Sequence, residues 1–151
     1  PVSTVILYNH ESPRRPDTFV TRKITKAAAR IANGSDEPLH LGNMSARRDW
    51  GFAGDYVRAM RAAVRADEPD DFVIATGISH SIEDFVSQAF AAAGITDWRA
   101  HVAVDEGLLR PQDPADFVGD ASKAERVLGW RPEVDFAGLV AMMVEHDLAL
   151  Q

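Results

Sequence analysis

Two short apolar runs constrain this chain most: Val2 to Tyr8, and Phe72-Val73-Ile74-Ala75-Thr76 closed by Gly77. Unbroken runs of this length, rich in β-branched residues, predict strands buried inside a sheet. A sheet covered on both faces is usually parallel, because helical crossovers supply the cover. Helical patterns do fall between and after the two runs, so the expected class is α/β.

The first of those patterns starts near Thr18 and places Val20, Ile24, Ala27, Ala28 and Ile31 on one face, with Gly34 as its stop. Arg22, Lys23 and Lys26 fall in its opening turns. Cations there oppose the helix dipole unless something negative lies between them. A second helix is expected from Asp55 to about Ala66, with Val57, Met60 and Val64 inward and Arg58, Arg61 and Arg65 in solvent. Ser81, followed three residues later by Asp84, predicts a capped helix that buries Ile82, Phe85, Val86, Ala89 and Phe90 and ends near Gly94. Shorter strands are expected around Leu39 to Leu41 and from Ala100 to Val104. Asp120 is read as the cap of a helix that Gly129 stops, and Phe136, Leu139, Val140, Met143 and Val144 as a final amphipathic helix.

With 151 residues, 46% of them apolar, the chain has enough material for one cored domain. It has no cysteine, which excludes disulfides, thiolate metal sites and cysteine nucleophiles and predicts a reducing, cytoplasmic setting. No apolar run approaches the roughly 20 residues of a membrane span. The net charge of −7 argues against nucleic acid as a partner. That charge is uneven, with a balance of +5 over residues 1–65 and −12 over residues 66–151. A basic first part in an acidic chain suits a small phosphate site. The five histidines, at 10, 40, 80, 101 and 146, lack ligand spacing, so no metal is expected.

Polar and cationic groups gather directly after the first strand, in Asn9-His10-Glu11-Ser12-Pro13-Arg14-Arg15, and again at Thr21-Arg22-Lys23. A strand that ends this way delivers its side chains to the rim of the sheet, where open α/β folds bind ligands. An anionic ligand is expected. Other polar and cationic stretches are Leu41-Gly42-Asn43, Arg48-Asp49-Trp50-Gly51 and Arg110-Pro111. Arg48 stands out, since Asp49 could orient its guanidinium and Trp50 could anchor the turn in the core, while Arg47 reads as a solvated neighbour.

These segments, with Phe19-Val20-Thr21-Arg22-Lys23-Ile24, Asp55-Tyr56-Val57, Pro69 to Gly77, Gly119-Asp120 with Lys123-Ala124, and Leu128-Gly129-Trp130, run in order along the chain. In that order they resemble the C-terminal portion of the GDP-mannose 4,6-dehydratase family, extended short-chain dehydrogenases/reductases. The resemblance implies a partial Rossmann-like fold, the last strands of a parallel sheet, joined to a small C-terminal nucleotide-sugar-binding α/β domain. It implies that residues 1–151 are a single C-terminal fragment whose N-terminal NADP-binding half is absent. It also implies NADP contacts by His10 and Arg15. GDP-mannose or a related GDP-hexose would be held by Asn9, Arg22, Lys23, Asn43, Arg48, Arg110 and Asp113. The family is a lyase of GDP-fucose biosynthesis that makes GDP-4-keto-6-deoxy-mannose, so the expected partners are the sugar nucleotide and either a second copy or the missing half.

Some family features are not in these residues. Tyr8 is followed at the fourth position by Ser12 and Tyr56 by Met60, so neither forms the family's Tyr-x-x-x-Lys pair, and there is no dinucleotide glycine turn. Catalytic residues are therefore not assigned within this chain, and Glu11 is not given the family's elimination role. Pro16, Phe52 and Gln112-Asp113 depart from the family pattern. A noncatalytic GDP-sugar-binding or assembly module stays open as the alternative.

Overall fold

The computed structural model describes residues 2–109 and 116–151. Strand β1 (Thr4–Leu7) runs into β2 (Asn9–Glu11), and helix α1 (Val20–Ala32) follows. Next come β3 (Leu39–Leu41), β4 (Arg47–Arg48), β5 (Trp50–Phe52) and helix α2 (Ala53–Val64). The chain then forms β6 (Asp71–Ile74), β7 (His80–Ser81), α3 (Ile82–Ala92), β8 (Val102–Val104), α4 (Ser122–Leu128) and α5 (Phe136–Leu148).

Three of the strand pairs are parallel: β1 with β6, β2 with β5, and β3 with β8. The short β4 and β7 pair antiparallel, with Arg48 opposite His80. The junction of β1 and β2 matters most for the site. Tyr8 N–H donates to Ile74 O at 3.0 Å, the last rung on β6, and from Asn9 onward the chain is in register with β5, Asn9 opposite Trp50 and His10 opposite Gly51. One extended segment thus changes partners and carries Asn9, His10 and Glu11 beside the stretch that holds Arg48.

Two apolar cores flank this seam. Helices α1, α3 and α5 enclose one, built on Ile24, Phe85, Phe90, Leu139 and Met143, with Trp50 inserted edge-on to Phe85 at 5.2 Å between ring centroids. The run Ala27-Ala28-Ala29 lets α1 approach its neighbours closely, since no side chain there extends past Cβ. Helices α2 and α4 pack the other core, of Tyr56, Ala59, Phe72, Ile74 and Trp130, against β1 and β6.

Several expectations are corrected. Strand β1 is not buried on both faces: Val5 and Leu7 pack inward, and Ile6 is 53% exposed. Helix α1 begins at Val20 rather than Thr18. Helix α2 is turned away from its expected stripe, with Val57 and Val64 59% and 83% exposed while Asp55, Tyr56, Ala59 and Ala63 face inward. The buried Asp55 carboxylate explains the rotation, because it accepts from Glu133 N at 2.8 Å, Val134 N at 3.0 Å and Arg58 at 2.5 Å. Arg58 also reaches Glu133 at 3.0 Å, so it is a bridge rather than a purely solvated arginine. Asp120 accepts from Ser122 N at 2.9 Å, but Ala121 occupies the cap position of α4.

Other expectations hold. Ser81 and Asp84 form a reciprocal capping box on α3, at 3.0 and 2.8 Å. Gly129 closes α4 in the left-handed region at φ +63°, where a side chain would be strained. Helix α5 runs on to Leu148, and Asp135, whose carboxylate accepts from Gly138 N at 2.8 Å, caps its start.

Candidate functional site

The rim where β2 and β5 end carries two clefts, and Asn9 and Arg48 line both. The first encloses about 450 Å³ between the start of α1, the turn after β3, and β4. Lys23, Asn43, Glu11 and Thr21 are among the residues that line it. The second, about 560 Å³, lies on the other side of Asn9 and brings in His10, Arg15, Tyr8 and Phe117.

Each side chain is held by its own local geometry. Lys23 Nζ donates to His40 O at 2.7 Å and so spans from α1 to β3. The Asn43 carbonyl oxygen accepts from Ser45 N at 3.0 Å and Ser45 Oγ at 2.7 Å, which folds the turn under the first cleft. Arg48 donates through Nη1 to Arg47 O at 2.6 Å. His10 Nδ1 lies 2.9 Å from Tyr8 O; a carbonyl can only accept, so this nitrogen carries a proton, and in the neutral tautomer Nε2 is the acceptor. Its ring sits 5.4 Å from that of Tyr56. Arg15 pairs through Nε with Glu11 Oε2 at 3.2 Å, while its guanidinium lies 3.5 Å above the centre of the Phe19 ring.

Asp49, between Arg48 and Trp50, is fully buried and does not orient the Arg48 guanidinium as expected. Its Oδ1 accepts from Thr76 N and Oγ1 at 2.9 and 2.6 Å, and its Oδ2 from Gly77 N at 2.9 Å and Gly119 N at 3.2 Å. It therefore fixes the backbone on which Arg48 stands, with Trp50 buried on the other side as the expected anchor.

Arg22 does not join the clefts. It is 4% exposed, points into the α1–α5 contact and pairs with Asp147, whose other oxygen accepts from Thr25 Oγ1 at 2.7 Å. Lys26 pairs with Asp17 at 2.5 Å. The three cations at the start of α1 thus have three separate protein partners and do not surround one anion. Arg110 and Asp113 lie outside the described residues. Among the described residues no group of three or more acidic, histidine or cysteine side chains could hold a metal, and no helix is long and apolar enough to cross a membrane.

Two buried groups were not anticipated. Burial raises the Glu11 carboxyl above its ordinary value, outweighing the opposing effects of the Thr21 hydrogen bond and the Arg15 charge. Tyr56 is raised too, by burial first and then by the charges of Asp49, Asp55 and Glu11, which keeps its hydroxyl protonated. Both residues fall in segments noted above, but no sequence pattern marks their burial, which comes from segments distant along the chain.

Parallel strand pairs with helices packed against them, and polar side chains collected where the strands end, define a Rossmann-type α/β fold. Solved structures with this fold superpose over nearly the whole chain. One is RMD from Pseudomonas aeruginosa complexed with NADPH, at TM-score 0.86 and 17% identity, covering 97% of this chain and 48% of that one. Another is UDP-glucuronic acid 4-epimerase from Bacillus cereus in complex with UDP-glucuronic acid and NAD, at TM-score 0.83 and 20% identity, covering 100% and 46%. The chain belongs to the GDP-mannose 4,6-dehydratase family, whose profile matches residues 1–143. GDP-mannose 4,6 dehydratase 1 of Arabidopsis thaliana is 51% identical over 145 residues, which cover 96% of this chain and 40% of that protein. The human GDP-mannose 4,6 dehydratase is 45% identical, with 96% and 43% covered. The chain therefore spans about two fifths of the length of these relatives.

Proposed function

We propose that this chain is the GDP-sugar-binding, C-terminal part of a GDP-mannose 4,6-dehydratase, which makes GDP-4-keto-6-deoxy-mannose from GDP-mannose. The observation that carries this reading is the sharing of Asn9 and Arg48 between two adjoining clefts. A reaction that moves a hydride between a sugar and a dinucleotide needs both ligands side by side. In this reading the first cleft takes the sugar nucleotide, with Lys23, Arg48 and the amide of Asn43 meeting its phosphate and ribose oxygens. Guanidinium and ammonium groups from separate segments suit a diphosphate, which offers oxygens in several directions. Arg22 is left out, since its charge is spent on Asp147. Asn9, on the wall between the clefts, would orient the hexose.

The second cleft would take part of NADP. Arg15, braced by Glu11 and Phe19, fits one anionic group, and the acceptor nitrogen of His10 fits a polar ring edge. Bound NADP would supply the chemistry of taking up a hydride from C4 of the hexose and, once water has been lost across C5 and C6, giving it back at C6. What these residues contribute is positioning, which can account for a large part of a rate. The acid–base pair for hydride transfer would come from polypeptide other than residues 1–151, and this part would pair with a second copy or with that polypeptide.

Calorimetric titration with GDP-mannose tests the reading. Arg48→Ala is expected to weaken binding by about tenfold or more, the loss of one charge-assisted contact. Equal affinities for the parent and the variant would overturn the assignment of the first cleft.

A further inference from the structure

Glu11 is 2% exposed, and a carboxylate removed from water in this way is costly unless it is paired and hydrogen-bonded. It stands at the end of β2, two residues after Asn9, which lines both clefts, and itself lines the first. Its Oε2 accepts a hydrogen bond from Thr21 Oγ1 at 2.7 Å, on the opening turn of α1, and lies at ion-pair distance, 3.2 Å, from Arg15 Nε, in the loop that faces the second cleft. Arg15 is further confined by the Phe19 ring at 3.5 Å. A long arginine side chain on a loop ordinarily samples many rotamers, and binding an anion would have to freeze them. Here Nε makes no hydrogen bond but lies beside the carboxylate at ion-pair distance, the flat face is stacked, and the side chain still borders the cleft.

We propose that Glu11 is a positioning residue: its buried carboxylate holds the Arg15 guanidinium in the orientation that receives an anionic group of the dinucleotide in the second cleft. This rests on the reading of that cleft given above and extends it by assigning the residue that prepares it. Glu11 does not line the second cleft and acts on the dinucleotide through Arg15. The requirement is for charge at this place: glutamine keeps the shape and the bond from Thr21 but gives up the pairing with the guanidinium.

The test is titration of the chain with NADPH, followed by cofactor fluorescence, for the parent, Glu11→Gln, Glu11→Asp, Arg15→Ala and the Glu11→Gln/Arg15→Ala pair. Glu11→Gln is expected to weaken NADPH binding about tenfold, and Glu11→Asp, which restores the charge, by less. In the Arg15→Ala background Glu11→Gln should add less than about twofold, since a residue acting through Arg15 has nothing left to act on. A general loss of structure would instead lower affinity in both backgrounds. Unchanged affinity in Glu11→Gln, a full additive loss in the double variant, or no recovery in Glu11→Asp would overturn the proposal. Failure of the underlying reading looks different: the parent does not bind NADPH, or Arg15→Ala binds it as the parent does.

Discussion

Single residues in this chain do unequal work for their chemical type. Arg22 and Arg48 would be interchangeable candidates by charge, yet one is enclosed between helices with Asp147 and the other lines both clefts. Glu11 shows the energetic side of such placement. Because burial raises its carboxyl, the folded chain binds more protons than the unfolded one between the ordinary glutamate range and the raised value. Stability therefore falls as pH rises through that window, and the deficit persists above it. Thermal melts of parent and Glu11→Gln from about pH 4 to about pH 8 should show the variant gaining on the parent as pH rises. Parallel curves would show that ionised Glu11 costs the fold nothing.

At the scale of elements, the caps and buried carboxylates decide where helices begin and which way they face. Helix α3 starts where Ser81 and Asp84 satisfy each other's backbone N–H groups. Ser81→Ala should cost about 1 kcal/mol in denaturant unfolding. Hydrogen bonding from the Ser81 backbone holds the Asp84 carboxyl below its ordinary value. Its contribution is thus present above the ordinary aspartate range and lost as pH falls through the lowered value. If Ser81→Ala unfolds at the parent's denaturant midpoint, the box contributes nothing to stability. Helix α2 gives the contrasting case. Its sequence offers Val57, Met60 and Val64 as a stripe, but the three hydrogen-bond donors on Asp55 and the Tyr56 ring against Trp130 set a different rotation. One buried carboxylate with several donors outweighs a weak apolar stripe.

For the molecule as a whole, the contact between α1 and α5 joins the start of the site to the end of the chain. Arg22 and Thr25 on one helix meet Asp147 on the other, inside the three-helix core. Asp147→Ala leaves a buried guanidinium without its partner and should cost about 3–5 kcal/mol in chemical denaturation. Replacing both ends, as Arg22→Leu with Asp147→Leu, should recover much of that loss, because no charge is then stranded. A double variant no more stable than Asp147→Ala would mean that packing, and not charge, makes the contact.

Local patterns in the sequence were enough for the α/β class, the Ser81–Asp84 cap, the glycine stop at Gly129 and the core faces of α3 and α5, since each depends on residues a few positions apart. They also marked Asn9, His10, Arg15 and Lys23 as a polar and cationic set after the first strand, whereas Asn43 and Arg48 were singled out by the family resemblance. Only the tertiary structure decided which of these meet. The change of partners after Tyr8 puts Asn9 beside Arg48, the helix pairing takes Arg22 away to Asp147, and the folding of α1 over β2 encloses Glu11. Burial and ion pairing are properties of segments brought together from far apart along the chain, so no local spacing encodes them.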